Sequence, residues 1–258
     1  MDEAEQTLTG GNVNVVVRVG ATVRRLTQPW TPTVHALLQH LHLQGFPGAP
    51  QALGLDPQGR EVLSFIPGDV PQYPVPTYVL TDQTLQEVVQ LLRHYHDATR
   101  SFTPPPGAVW PSEVPGVAEV ICHNDIAPYN TVFRHERPVA WIDFDSAAPG
   151  PRLWDVVYAA YRFVPLEGAA REASVWPTHL RRLRRFCELY GLNEAEWADF
   201  TDTLLARLDA MCGWLLQGVD QPESAQARLV QDGHLAYYQR EQVDIATCRT
   251  ELQAAVEQ

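Results

Sequence analysis

The sequence contains no lysine; all 19 of its basic residues are arginines. Any fixed positive anchor must therefore come from arginine, which is permanently charged and can hold phosphate at two points. Basic charge is scarce as a whole. Set against 31 acidic residues, the arginines leave a formal net charge of −12. That argues against a nucleic-acid-binding surface, which needs a basic footprint. It is compatible with a cationic small-molecule partner, and solubility accounts for it equally well. The four cysteines, Cys122, Cys187, Cys212 and Cys248, contain no C-x-x-C pair, and the nine histidines show no ligand spacing. No zinc pattern is present, and thiols in a reducing compartment are expected. The acidic start, Met1-Asp2-Glu3-Ala4-Glu5, is unlike a secretory leader. No apolar run approaches the roughly 20 residues that cross a bilayer. A cytoplasmic protein without membrane or nucleic-acid partners is the expectation.

What is present begins with a strand pattern. Val13, Val15, Val17 and Val19 alternate with Asn14, Val16 and Arg18, Gly20-Ala21 can turn, and Thr22 to Leu26 returns. Thr31-Pro32 reads as the cap and first position of a helix running to Gln44, with Val34, Leu37, Leu38 and Leu41 as its apolar stripe and Gly45 as its stop. Short strands are predicted near 52–55 and 61–66, ended by Pro67-Gly68. A helix over 84–99 follows, burying Leu85, Val88, Val89, Leu92 and Tyr95. From Leu180 onward the pattern is helical: one stripe of Leu180, Leu183, Cys187 and Tyr190, a second from Trp197 to Leu215, and a last helix after Pro222. This order predicts an α+β, two-lobed architecture with a β-rich lobe over 1–66 and a mostly helical lobe over 67–258.

The chemistry is concentrated in His123-Asn124-Asp125-Ile126-Ala127-Pro128-Tyr129-Asn130 and Trp141-Ile142-Asp143-Phe144-Asp145. These read H-x-D-x-x-x-x-N and D-F-D, the spacing with which kinase-type phosphoryl transferases place a base and two metal ligands. A hairpin joins the two runs. Were its turn centred between Glu136 and Arg137, Asn130 would pair with Asp143, setting two hard oxygen donors suited to Mg²⁺ side by side. Asp125, ionised at neutral pH, could accept a proton from a substrate hydroxyl. Taken singly, each of these residues would pass for a loop cap or a strand end. Their joint spacing points to a site.

On these residues the chain resembles the aminoglycoside phosphotransferase family and the wider kinase-like small-molecule phosphotransferases, whose motifs read H-G-D-x-x-x-x-N and then I-D-F or I-D-W-E. The resemblance implies a kinase-like fold, ATP as co-substrate, Mg²⁺, and a small-molecule hydroxyl acceptor such as an amino sugar or amino alcohol. It implies Asp125 as base, Asn130 and Asp143 as metal ligands, and His123 and Asp155 as braces. Gly10, Gly11 and Asn12 are implied as the nucleotide loop, and Ser64, Phe65 and Ile66 as the hinge holding adenine. Asp145, standing where protein kinases have the glycine of D-F-G, is implied as a further metal or substrate contact.

Two departures accompany the resemblance. The family lysine is replaced by Arg24 or Arg25. Strand parity favours Arg25, because Val23 lies two positions earlier on the same face. The family's helix glutamate is missing too, since the stretch from Pro32 to Gln44 has no acid. His35 or Gln39 could orient the arginine in its place. These departures leave a second expectation open: a weakly active or inactive nucleotide-binding or immunity-type relative.

Overall fold

The computed structural model describes residues 5–8, 16–168, 172, 174–221 and 223–257. By packing, the chain divides into two compact units, Met1–Asp155 and Val156–Gln258. The lobe boundary read at residues 66 and 67 lies inside the first of them.

The first unit opens with a five-stranded antiparallel sheet in the order β1-β2-β3-β5-β4: Gln6–Leu8, Val16–Val19, Thr22–Arg25, Glu61–Ser64 and Ala52–Leu55 respectively. The turn between β2 and β3 is the expected Gly20-Ala21, with Gly20 at φ 57, the conformation that tight hairpin turns require. The strand β1 has no counterpart in the sequence reading, because three residues carry too little alternation to register. Val13 and Val15 fall outside the described residues.

Helix α1 spans Thr31–Leu43, with Val34, Leu37, Leu38 and Leu41 buried as predicted. Its cap is corrected by one residue. Trp30 occupies the cap position with no side-chain capping bond, and the Thr31 hydroxyl accepts instead from the Gln28 amide at 2.8 Å. Helix α2, Asp82–Thr99, starts at Thr81, whose hydroxyl accepts from the Thr84 amide. It buries all five of the residues predicted for its inner face.

Between β5 and α2 the chain is tied to the motif hairpin. Asp69 and Phe133 exchange backbone hydrogen bonds of 2.8 and 2.7 Å. The approach is close enough that a Cβ on Gly68 would lie 2.3 Å from the Phe133 carbonyl oxygen.

The motif hairpin pairs β7, Thr131–Arg134, with β8, Arg137–Trp141. Its register corrects the expected one. The turn residues are His135 and Glu136, both left-handed at φ 51 and 61, and a bulge separates Val132 from Phe133. Thr131 therefore faces Trp141, and the Asn130 carbonyl accepts from the Ile142 amide at 2.9 Å. Asp143 lies one step further on, itself left-handed at φ 65. The short strands β6, Val120–Cys122, and β9, Ala148–Gly150, pair antiparallel and carry the chain into and out of this region. Helix α3, Arg152–Phe163, begins in the first unit and runs into the second.

The second unit is helical. Helix α4, Trp176–Tyr190, ends at Gly191 in a left-handed cap. Helix α5, Glu194–Gln217, starts with a capping box in which Asn193 and Glu196 satisfy each other's backbone amides. Where the sequence suggested one helix after Pro222, the described residues form three: α6, Ala225–Gln231; α7, His234–Thr247; and α8, Arg249–Glu257. Gly233, at φ 89, breaks the first junction. Phe186, Phe200, Leu204, Leu208, Ile245 and Leu252 are buried among these helices. Among the described residues no helix is long and apolar enough to cross a membrane.

Candidate active site

The loop after β6 is fixed from beneath by Asp155, fully buried in the first turn of α3. Its two carboxylate oxygens accept from the amides of His123, at 2.6 Å, and Asn124, at 2.7 Å, and His96 of α2 donates to it at 3.1 Å. Burial alone would raise the Asp155 pKa; the His96 hydrogen bond, the nearby histidines and the His123 amide outweigh it and hold the carboxyl below its usual range. The His123 ring donates from Nε2 to the Ile142 carbonyl at 3.1 Å and accepts at Nδ1 from the Asp125 amide at 3.3 Å. One nitrogen donating and the other accepting is the neutral imidazole. Burial favours that form by lowering the ring's pKa. His123 thus joins the loop to the end of the motif hairpin.

Asn124 adopts φ 66. The family motif carries glycine here, and asparagine is among the few other residues that tolerate this conformation. Its side-chain amide also donates to the Ser146 carbonyl at 2.8 Å.

Asp125, half-buried, has both carboxylate oxygens occupied. The Tyr129 hydroxyl donates to Oδ1 at 2.7 Å, and the Asn130 amide donates to Oδ2 at 2.8 Å and to the Asp125 carbonyl at 3.0 Å. The short 3-10 turn Pro128–Asn130 places both donors.

A second cluster centres on Arg25, whose side chain is only 7% exposed. Arg25 and Glu61 are direct cross-strand partners on β3 and β5. Arg25 Nε donates to Glu61, Nη1 to Asp143 Oδ1 at 2.8 Å and Nη2 to Asp145 Oδ1 at 2.7 Å. The other Glu61 oxygen accepts from His35 of α1 at 3.0 Å. Burial opposes the charge on Arg25, but Asp143, Asp145 and Glu61 more than offset it and raise its pKa. Glu61 is likewise burdened by burial and is held below its usual range by the His35 hydrogen bond and the Arg25 charge. Asp145 goes the other way. Burial pushes it up to about 6 against the pull of Arg25, with Asp143 and Glu61 adding like-charge repulsion. Arg24 points elsewhere, lying 3.7 Å from Asp56 and 26% exposed.

Comparison with known proteins bears on the motif region and on the whole chain. Residues 107–186 match the APH family, described as a phosphotransferase enzyme family. The chain is also 33% identical over 208 residues to the trifolitoxin immunity protein of Rhizobium leguminosarum bv. trifolii, covering 77% of this chain and 78% of the relative. The chain belongs to the phosphotransferase enzyme family.

Solved structures agree on the fold. The amicoumacin kinase hAmiN, in complex with AMP-PNP, Ca²⁺ and Ami, superposes with a TM-score of 0.66 at 13% identity, covering 93% of this chain and 88% of that one. The microcompartment-associated aminopropanol kinase gives 0.64 at 12% identity, over 97% and 93%. The GDP complex of aminoglycoside 2'-phosphotransferase-IIIa gives 0.62 at 14% identity, over 95% and 94%. The fold is kinase-like, with a small β-rich N-terminal sheet and a larger helical C-terminal part, as expected from the sequence.

The residues read from the sequence fall as follows. Asp125, Asn130 and His123 share one hydrogen-bonded loop; Asp143 and Asp145 meet directly on Arg25, and His35 joins that cluster only through Glu61. Gly10, Gly11 and Asn12 lie outside the described residues. Among the hinge residues, the Ser64 amide donates to the Gln51 carbonyl at 2.9 Å and the Phe65 amide to the Ala21 carbonyl at 2.8 Å. The Ile66 amide makes no hydrogen bond among the described residues. The Arg18 guanidinium lies 3.9 Å above the Phe65 ring. Sequence reading missed Glu61, Tyr129 and His96. Glu61 could have been found by extending the strand pairing, since it is the acid that β5 sets opposite Arg25. Tyr129 lies within the motif but at one of its unspecified positions.

Proposed function

We propose that the chain is a small-molecule kinase that transfers the γ-phosphoryl group of ATP to a hydroxyl, with Asp125 as the base. The observation that carries this reading is the Asp125 carboxylate, half-exposed and oriented by hydrogen bonds to both oxygens in a loop pinned by Asp155. Phosphoryl transfer is mainly positioning and charge neutralisation, so a weak but fixed base suffices. The acceptor hydroxyl would take the place of the Tyr129 hydroxyl on Asp125. Asp125 would then receive its proton as the new O–P bond forms and ADP leaves. Arg25 supplies the cation that a lysine supplies in relatives. Glu61 anchors that cation from β5, doing from a strand what the missing helix acid does elsewhere.

The donor set suits Mg²⁺. The Asn130 amide nitrogen is turned to Asp125, which directs its oxygen the other way, and Asp143 is 47% exposed with only one oxygen on Arg25. Both are hard oxygen donors. Asn130 and Asp143 would hold the ion, which would neutralise charge on the phosphates.

For the acceptor we infer a toxin- or antibiotic-like amine-bearing molecule. Support comes from the immunity relative, the acceptors named with the structural neighbours, and the acidic net charge. The immunity relative also favours a second reading, a nucleotide-binding immunity protein that transfers nothing. Thermal melting with ATP, with and without Mg²⁺, tests binding, because a ligand of the native state raises apparent stability. A Mg²⁺-dependent rise in wild type that disappears in Asp143→Ala is expected, and its absence in wild type sinks the kinase reading. Turnover on amino sugars and amino alcohols then separates the two readings. Asp125→Ala should keep binding and lose transfer.

A further inference from the structure

We propose that the Arg25 guanidinium is a resident cation filling one of the two divalent-metal positions of a kinase site, so that this chain binds nucleotide with a single metal ion. The inference rests on the nucleotide-binding reading above and extends it to the metal count.

Kinase-type sites hold two divalent ions on the aspartate of the D-F motif and on the loop asparagine. Here one oxygen of Asp143 and one of Asp145 already accept from the same guanidinium, at 2.8 and 2.7 Å. Asp145 stands where the protein-kinase motif has a glycine, and it puts a second acid on the same arginine. A lysine gathers its three donors on one nitrogen, whereas the arginine fork spreads them over three, and here each nitrogen meets a different acid.

The cation is also unable to step aside. Its third nitrogen is bonded to Glu61, which is buried and backed by His35. Withdrawal would strand a buried carboxylate without its counter-charge, a large cost. A divalent ion placed between Asp143 and Asp145 would meet a fixed positive charge at hydrogen-bonding distance from both. Only the side of Asp143 away from Arg25, together with Asn130, is left for an ion.

Counting Mn²⁺ by electron paramagnetic resonance tests the proposal. Wild-type protein is saturated with a non-hydrolysable ATP analogue and titrated with Mn²⁺; nucleotide retention is measured in the same samples. One Mn²⁺ per bound nucleotide is expected, and two overturn the proposal while leaving the kinase reading intact. Arg25→Lys, checked for cooperative melting, should gain a second Mn²⁺; a count still at one in the folded variant shows that the guanidinium is not the cause and overturns the proposal. If that variant does not fold, the wild-type count decides alone. Absence of nucleotide binding under every condition overturns the kinase reading and this inference with it.

Discussion

At the scale of single residues, Arg25 and Arg24 show how neighbours of one type can have unrelated roles. Arg25 is enclosed by three acids, and Arg24 sits at the rim beside Asp56. Removing one partner of a buried pair leaves an uncompensated charge. Glu61→Gln should therefore lower unfolding free energy by about 3 kcal/mol, whereas Arg24→Gln should change it by less than about 1 kcal/mol. Urea unfolding curves measure both. Tyr129 invites a kinetic prediction. Its hydroxyl holds the Asp125 oxygen that an acceptor must reach, and a hydrogen bond to a charged group is worth about 1.5 kcal/mol, roughly tenfold in an equilibrium. Tyr129→Phe should lower the acceptor KM by up to about tenfold with little change in kcat. An unchanged or raised KM in steady-state assays contradicts it.

At the scale of elements, the connection after β5 and the motif hairpin are locked together. The paired backbone bonds between Asp69 and Phe133 leave no room for a side chain at Gly68. Gly68→Ala should destabilise the protein by about 2 kcal/mol through overpacking. Thermal melting would show it, and an unaltered midpoint would mean the hairpin shifts freely. The same hairpin explains why the register read from the sequence was one residue off. The turn centres between His135 and Glu136, one residue earlier than the reading assumed, which moves the partner by two positions, and the bulge between Val132 and Phe133 restores one of them. The apolar stripes of α1 and α2 were legible because helix periodicity needs no partner to be seen. Strand β1 was illegible because three residues have no period, and the junctions among α6, α7 and α8 were missed because Gly233 and Cys248 end helices without a proline nearby.

At the scale of the whole molecule, buried carboxylates set the response to acid. Glu61 and Asp155 are both held below their ordinary pKa values, 4.5 and 3.8. The unfolded chain therefore binds protons that the folded one refuses, and stability rises with pH where this holds. The contribution of both groups is fully present above about pH 4.5 and is lost as pH falls through their folded values. Metal-free protein should thus lose stability steeply below about pH 4.5, and Glu61→Gln should show a shallower loss. Unfolding curves measured from pH 7 down to pH 3 check this; parallel slopes for the two proteins would contradict it.

The sequence by itself determined the α+β order of elements, the phosphotransferase motif, and the absence of lysine, because these depend only on residue type and spacing along the chain. Strand parity even favoured Arg25 over Arg24. What only the tertiary structure decided is what surrounds that arginine. Glu61 is 36 residues away in sequence, and Asp143 and Asp145 are more than a hundred. Spacing along the chain cannot report such distances; the pairing of β3 with β5 and the course of the D-F-D segment bring the three acids onto one guanidinium. The missing lysine and the missing helix acid are thereby resolved into one cluster, in which the anchor is an arginine and its partners come from a strand and from the motif itself.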